Sequence, residues 1–275
     1  MAVGDLKREL NVAVRLARQA GQMIVATCQT GLDVDYKGED QPVTAADRAA
    51  DEFIGASLRA AFPDDGLLTE ESRDDLSRLE KERVWIVDPL DGTTEFITAT
   101  GEYTVQIALA MHGHPVLGVV YQPVQAKLFY AVQGHGAYQL QDGRAIALHV
   151  STESDPARMC LVASHSHYSS FVEAARQALR IQRVHRAGSV GFKIGLLVQG
   201  MCDLYLATTV SREWDLCAPH ALLLEAGGTL TNLCGEALVY NKAEVAECKG
   251  LIGSNGLAHA RIVEILASLP EDAEG

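Results

Sequence analysis

Trp85-Ile86-Val87-Asp88-Pro89-Leu90-Asp91-Gly92-Thr93 is the stretch that decides how this chain is read. The apolar run over 84–87 is a short buried strand that stops abruptly at Asp88-Pro89. Two carboxylates, three positions apart, are thereby delivered onto a turn that Pro89 fixes. Gly92 allows close approach of another backbone, and Thr93, Thr94 and Glu95 read as a helix start. Amides at a helix start suit phosphate, and carboxylate and carbonyl oxygens suit Mg2+. In isolation, Asp88 and Asp91 would merely shape a turn and cap a helix, as Asp often does.

Working outward, residues 6–28 carry Leu10, Ala13, Ala17, Ala20 and Ile24 at helical spacing. A polar segment over 31–41 follows, and Thr44 reads as the N-cap of a second helix that Pro63 and Gly66 stop. Downstream, strands are expected over 104–111, 115–121 and 127–132, with weaker strand signal over 136–150, as in an antiparallel meander. The second half alternates: strands over 159–164, 203–207 and 229–232, helices over 170–180, 188–199, 218–226 and 256–268. The expectation is an α+β unit over 1–148, bearing most of the acids, and an α/β unit over 149–275.

The acids carry the chemistry. Glu70-Glu71 ends another apolar run, 66–69, and Asp215 follows Trp214 just before a helix. If Glu70, Asp88, Asp91 and Asp215 meet, two like charges about 4 Å apart cost on the order of 4 kcal/mol at an effective dielectric of 20. Convergence therefore implies a metal. Thr44 with Asp47 reads as a capping box, and Asp215 as a cap for the helix containing Pro219, taken as a first-turn proline. These structural readings and a functional one are compatible, since a capped helix end is a rigid support.

The chain has 275 residues and a formal net charge of -13 at pH 7. Such a surface repels nucleic acid polymers and anionic membranes, while a small anionic substrate remains compatible if cations offset the repulsion. Six scattered cysteines without a CxxC pair argue against a zinc ribbon or a disulfide framework. Residues 1–26 lack a signal-peptide pattern and no run is long enough to span a bilayer, so a cytoplasmic protein is expected.

Four motifs in order, Pro42-Val43-Thr44-Ala45-Ala46-Asp47, Glu70-Glu71, Asp88-Pro89-Leu90-Asp91-Gly92-Thr93 and Trp214-Asp215 with Glu225-Ala226-Gly227-Gly228, resemble the inositol monophosphatase superfamily. The resemblance implies a layered αβαβα sandwich, shared with fructose-1,6-bisphosphatases, and a lithium-sensitive phosphatase using two or three Mg2+ ions. It implies that Glu70, Asp88 and the Leu90 carbonyl hold one ion, and Asp88, Asp91 and Asp215 a second. A third ion would sit near Glu70, with Glu71 through water, and Asp47 with Thr93 would activate the attacking water. Members include monomers and homodimers.

Within the superfamily the chain resembles the 3'(2'),5'-bisphosphate nucleotidases. Glu95 before Phe96, the run Trp214-Asp215-Leu216-Cys217-Ala218-Pro219, and the segments Ser164-His165-Ser166-His167 and Gly188-Ser189-Val190-Gly191-Phe192-Lys193 carry that likeness. It implies Gly92, Thr93, Ser164, His167, Ser189 and Lys193 as substrate contacts, with Lys193 and His167 meeting a second phosphate. Two departures weaken it: Thr94 and His165 stand where cationic side chains are usual. Inositol monophosphate or fructose 1,6-bisphosphate is the alternative substrate. A catalytically silent regulator and a calcium-binding structural protein are weaker readings, since every motif acid is present and no D-x-D-x-D-G loop is.

Overall fold

The computed structural model describes residues 6–28, 34–36, 42–247 and 249–269. Most of the polar 31–41 segment lies outside the described residues, as does Cys248. The chain opens with α1 (Lys7–Cys28), the antiparallel pair β1 (Val34–Tyr36) and β2 (Pro42–Thr44), and α2 (Ala45–Ala61). The Thr44 hydroxyl accepts from Ala46 N–H at 3.2 Å while Asp47 Oδ2 accepts the Thr44 N–H at 2.7 Å, so the capping box is present.

A seven-stranded sheet follows, in the spatial order of its sequence: β3 (Gly66–Thr69), β4 (Arg83–Asp91), β5 (Thr104–Met111), β6 (His114–Gln122), β7 (Lys127–Val132), β8 (Gly136–Gln141) and β9 (Arg144–Leu148). Only β3 and β4 pair in parallel; the rest is the antiparallel meander. The short α3 (Thr93–Ile97) leaves the end of β4.

The second half gives β10 (Cys160–Ser164), α4 (Ser170–Ala178), β11 (Arg183–Ala187), α5 (Val190–Val198), β12 (Leu204–Ala207), β13 (Ser211–Arg212), α6 (Glu213–Glu225), β14 (Thr229–Thr231), β15 (Ala246–Glu247), β16 (Leu251–Ser254) and α7 (His259–Ala267). Five of these strands form a mixed sheet in the order β11-β10-β12-β16-β14, while β13 pairs β15 apart from it.

Strand alternation builds the layers. On β5, Val105, Ile107 and Leu109 face α1 and α2 through Ala13, Leu16, Ala17 and Ile54. Ala108 and Ala110 face the opposite way, into a core with Ile194 and Leu197 of α5 and Ala218 and Leu222 of α6. Those two helices also cover one side of the second sheet through Val162 and Tyr205, and α4 and α7 cover its other side. The order is helix, sheet, helix, sheet, helix, the αβαβα sandwich that the resemblance implied. Gly118 lets α6 lie close on the first sheet, since a Cβ there would stand 2.5 Å from the Ala218 carbonyl oxygen.

Three expectations are corrected. α6 begins at Glu213, so Asp215 lies inside the helix rather than before it, and Pro219 falls in the second turn. The start was hidden because Arg212, not a Ser, Thr, Asp or Asn, occupies the N-cap. α5 begins at Val190, with Gly188 and Ser189 preceding it. β11 and β16 were not anticipated: β11 is an edge strand with an exposed Arg-Val-His stretch, and β16 is four residues long. Among the described cysteines, Cys160, Cys202, Cys217 and Cys234 are free thiols.

Candidate active site

Four acids meet where the first sheet ends. β3 and β4 run in parallel, so Glu70, one residue past β3, emerges beside Asp88, and its N–H reaches the Val87 carbonyl at 3.3 Å. A register shift between Asp88 and Asp91 lets β4 turn around Pro89 and Leu90 while both aspartates stay on the sheet end. Asp215, in the first turn of α6, completes the group, its Oδ2 accepting the Arg212 N–H at 2.6 Å.

Electrostatics register the convergence. Asp88 is 1 % exposed, and burial, then the charges of Glu70, Asp91 and Asp215, push its carboxyl well above the ordinary range. Burial and Asp91 likewise push Asp215 up to about 7. No lysine or arginine among the described residues forms an ion pair with Asp88, Asp91 or Asp215. As they stand, no three described His, Cys, Asp or Glu side chains close on one point as a finished cation shell. The donor set is nevertheless all hard oxygen, and the nearby charges of Lys193 and Arg212 leave Asp88 and Asp215 raised. Mg2+ fits such a set.

Asp91 is held more tightly than any sequence argument suggested. Its Oδ2 accepts from Gln106 Nε2 at 2.5 Å, Ser189 Oγ at 2.5 Å, the Gly191 N–H at 2.8 Å and Thr104 Oγ1 at 3.3 Å. Thr104 and Gln106 lie opposite Asp91 and Asp88 in the β4–β5 register. Two polar residues in the otherwise apolar β5 were the signal that could have found them. Ser189 reaches Asp91 from a left-handed backbone (φ 50°) and also accepts the Phe192 N–H at 3.0 Å, capping α5. Its hydroxyl, expected to face substrate, is committed to Asp91.

Asp47 and Thr93 stand together across the group. Thr93 Oγ1 lies 3.1 Å from Asp47 Oδ1 and 3.3 Å from the Leu90 carbonyl, while Asp47 Oδ2 takes both the N–H and the hydroxyl of Thr44. Half-buried Glu71 lies next along the chain from Glu70.

A cleft opens from these acids. One lobe, about 330 Å3, includes Glu70, Thr93, Thr94, Arg212, Trp214 and Asp215 in its walls. The other includes Ser164, Ser189, Lys193 and Tyr205, and the two share Gly92, Thr94, Glu95, His167, Val210 and Asp215. His167 is exposed with Nδ1 2.9 Å from Ser166 Oγ, and the Ser164 hydroxyl accepts the His167 N–H at 3.3 Å. His165 turns aside to Glu102 at 2.9 Å, an acid that also takes the Gly188 N–H. Lys193 is 5 % exposed; burial lowers its pKa, opposed by the charges of Asp91, Glu95, Glu102 and Asp215. His112, His114, His135 and His149 are exposed, and none of them is in the walls of either lobe.

The model of the inositol monophosphatase family matches residues 5–271. The chain belongs to the inositol monophosphatase family. It is a phosphatase. It is similar to the 3'(2'),5'-bisphosphate nucleotidase CysQ of Aggregatibacter actinomycetemcomitans, 35% identical over 242 residues covering 86% of this chain and 88% of the relative. CysQ from Bacteroides thetaiotaomicron shares the fold at a TM-score of 0.77 and 31% identity, over 91% of this chain and 98% of that one. The suhB protein of Bartonella henselae superposes at a TM-score of 0.82 and 27% identity, over 95% of this chain and 99% of that one. Among the described residues, no helix is long and apolar enough to cross a membrane.

Proposed function

We propose that this phosphatase is a Mg2+-dependent 3'(2'),5'-bisphosphate nucleotidase that converts adenosine 3',5'-bisphosphate to AMP and phosphate. The observation that carries the reading is the meeting of Glu70, Asp88, Asp91 and Asp215 at one cleft, where burial and their mutual repulsion raise Asp88 and Asp215. Likeness to CysQ proteins over most of the chain supports the substrate class.

Glu70, Asp88 and the Leu90 carbonyl would hold one ion, Asp88, Asp91 and Asp215 a second, and a third would sit near Glu70, with Glu71 reaching it through water. Bound there, Mg2+ lowers the pKa of a water and neutralises phosphoryl charge. The chain's own part is proton handling and positioning. Thr44 fixes Asp47 Oδ2, so Oδ1 is left to draw on the Thr93 hydroxyl. Thr93 Oγ then accepts a proton from the attacking water as it yields its own to Asp47. A bond forms from the water oxygen to phosphorus, the P–O3' bond breaks, and the departing ribose oxygen takes up a proton from solvent in the open cleft, while Asp47 later returns its proton to solvent.

Gly92, Ser164, His167, Ser189 and Lys193 line the cleft and are the proposed substrate walls, Ser189 acting through Asp91. The division into residues 1–148 and 149–275 belongs to the same proposal, with the site at their junction. A second reading, inositol monophosphate or a sugar bisphosphate as substrate, is favoured by Thr94 on the cleft wall and by His165 being paired with Glu102. A phosphate-release panel over bisphosphate nucleotides, inositol phosphates and sugar bisphosphates, with and without chelator, separates the two. Preference for an inositol phosphate would displace the nucleotidase reading.

A further inference from the structure

The cleft contains a cation that the sequence reading did not single out. Arg212 lines the lobe that also holds Glu70, Thr93, Trp214 and Asp215. Its backbone is pinned twice: Arg212 pairs with Ala246 in the β13–β15 ladder, and its N–H is taken by Asp215 Oδ2 at 2.6 Å. The side chain is half-buried. Among the described residues, its guanidinium donates to no side chain or carbonyl and forms no ion pair. A partly desolvated guanidinium without a hydrogen-bond acceptor, on a fixed stem in the wall of an open cleft, is arranged to take an anion, even with its charge acting on the neighbouring Asp215.

Lys193 is a poorer candidate for the same task. Its ammonium sits in the other lobe, buried and over the Tyr205 ring at 5.6 Å, where Asp91, Glu95, Glu102 and Asp215 already answer its charge. Arg212 and the exposed His167 share the 330 Å3 lobe with Thr94, so the walls around the acids carry a fork on one segment and an imidazole on another. The two departures at Thr94 and His165 removed positive charge from two segments. Arg212 restores it from a third.

We infer that Arg212 binds the phosphate that this enzyme does not cleave, and so sets its preference for bisphosphates over monophosphates. This rests on the nucleotidase reading: the cleaved 3'-phosphate lies with the acids and Thr93, and the 5'-phosphate reaches the guanidinium. A planar fork takes two oxygens of one phosphate, which a lysine cannot imitate.

The test uses the full chain with Mg2+ as wild type, Arg212→Ala and Arg212→Lys. Turnover is compared on adenosine 3',5'-bisphosphate and adenosine 3'-monophosphate, and AMP and adenosine binding are measured by calorimetry. Arg212→Ala is expected to lower the ratio of kcat/KM for bisphosphate over monophosphate by about 10- to 100-fold, mainly through KM. AMP should weaken by a similar factor relative to adenosine, and Arg212→Lys should recover only part of each loss. Equal losses on both substrates would overturn the inference by placing Arg212 at the cleaved phosphate or in the scaffold. A bisphosphate preference that survives Arg212→Ala would overturn it while leaving the nucleotidase reading intact. A wild type that never prefers the bisphosphate would sink both.

Discussion

Ser189 Oγ donates to Asp91 Oδ2 at 2.5 Å, so the segment before α5 grips an acid of the first sheet across 98 positions of sequence. With Gln106, Thr104 and the Gly191 N–H on the same oxygen, Asp91 has one oxygen spent on the protein and the other left toward the acid cluster. Such outer contacts fix a ligand's direction and basicity. Ser189→Ala is expected to weaken Mg2+ binding, read by calorimetry, by about 10-fold or more, with a similar fall in activity. The lost cap on Phe192 N–H should also cost about 1 kcal/mol of stability. Unchanged Mg2+ affinity would show that the remaining three donors suffice.

Thr93→Val keeps the shape of the side chain and removes the hydroxyl that Asp47 Oδ1 and the Leu90 carbonyl share. If Thr93 passes the water's proton to Asp47, kcat should fall by about 100-fold or more, with KM and melting temperature near those of the parent. A variant with wild-type kcat would remove Thr93 from the proton path.

How much of this was legible beforehand follows from where each signal lies. Asp47, Glu70, Asp88, Asp91 and Asp215 each sit in or beside a local pattern, a capping box, an apolar run ending in acid, or a turn, and all were named. The layers were legible only through resemblance, because a sheet covered on both sides leaves apolar residues at most positions and hides the strand alternation. The Asp91 cage was invisible because it depends on β4–β5 register and on a contact between distant segments. Arg212 was missed for the opposite reason: a lone arginine before Glu213-Trp214 carries no pattern at all, and only the cleft gives it meaning.

Removal of metal should interact with pH. Asp88 and Asp215 are raised by burial and by neighbouring acids, Asp215 to about 7, and both return to ordinary values on unfolding. The cation-free native chain therefore binds more protons than the unfolded one. That contribution to stability is full below about pH 4 and is lost as pH rises through about 7. Mg2+ relieves the same repulsion, so the rise in melting temperature on adding Mg2+ to chelator-treated protein should grow from pH 5.5 to pH 8. A rise that is flat or shrinks over that range would mean that the acids do not share the ion.

His220 should control acid stability with the opposite sign. It lies buried in α6, with Nδ1 2.9 Å from the Tyr240 hydroxyl, and burial, then the nearby His114, lowers its pKa to about 4. The fold prefers the neutral ring, so its contribution is full above the ordinary value of about 6.5 and is lost as pH falls through about 4. A depression of that size corresponds to about 3 kcal/mol, enough to decide the fate of a marginally stable domain. His220 shares α6 with Asp215, an active-site acid. His220→Gln keeps a polar partner for Tyr240 but does not titrate. Its denaturant midpoint at pH 7 should fall modestly, and the further loss between pH 7 and pH 4.5 should be smaller than in the parent. An identical acid slope in the variant would show that some other group governs the transition.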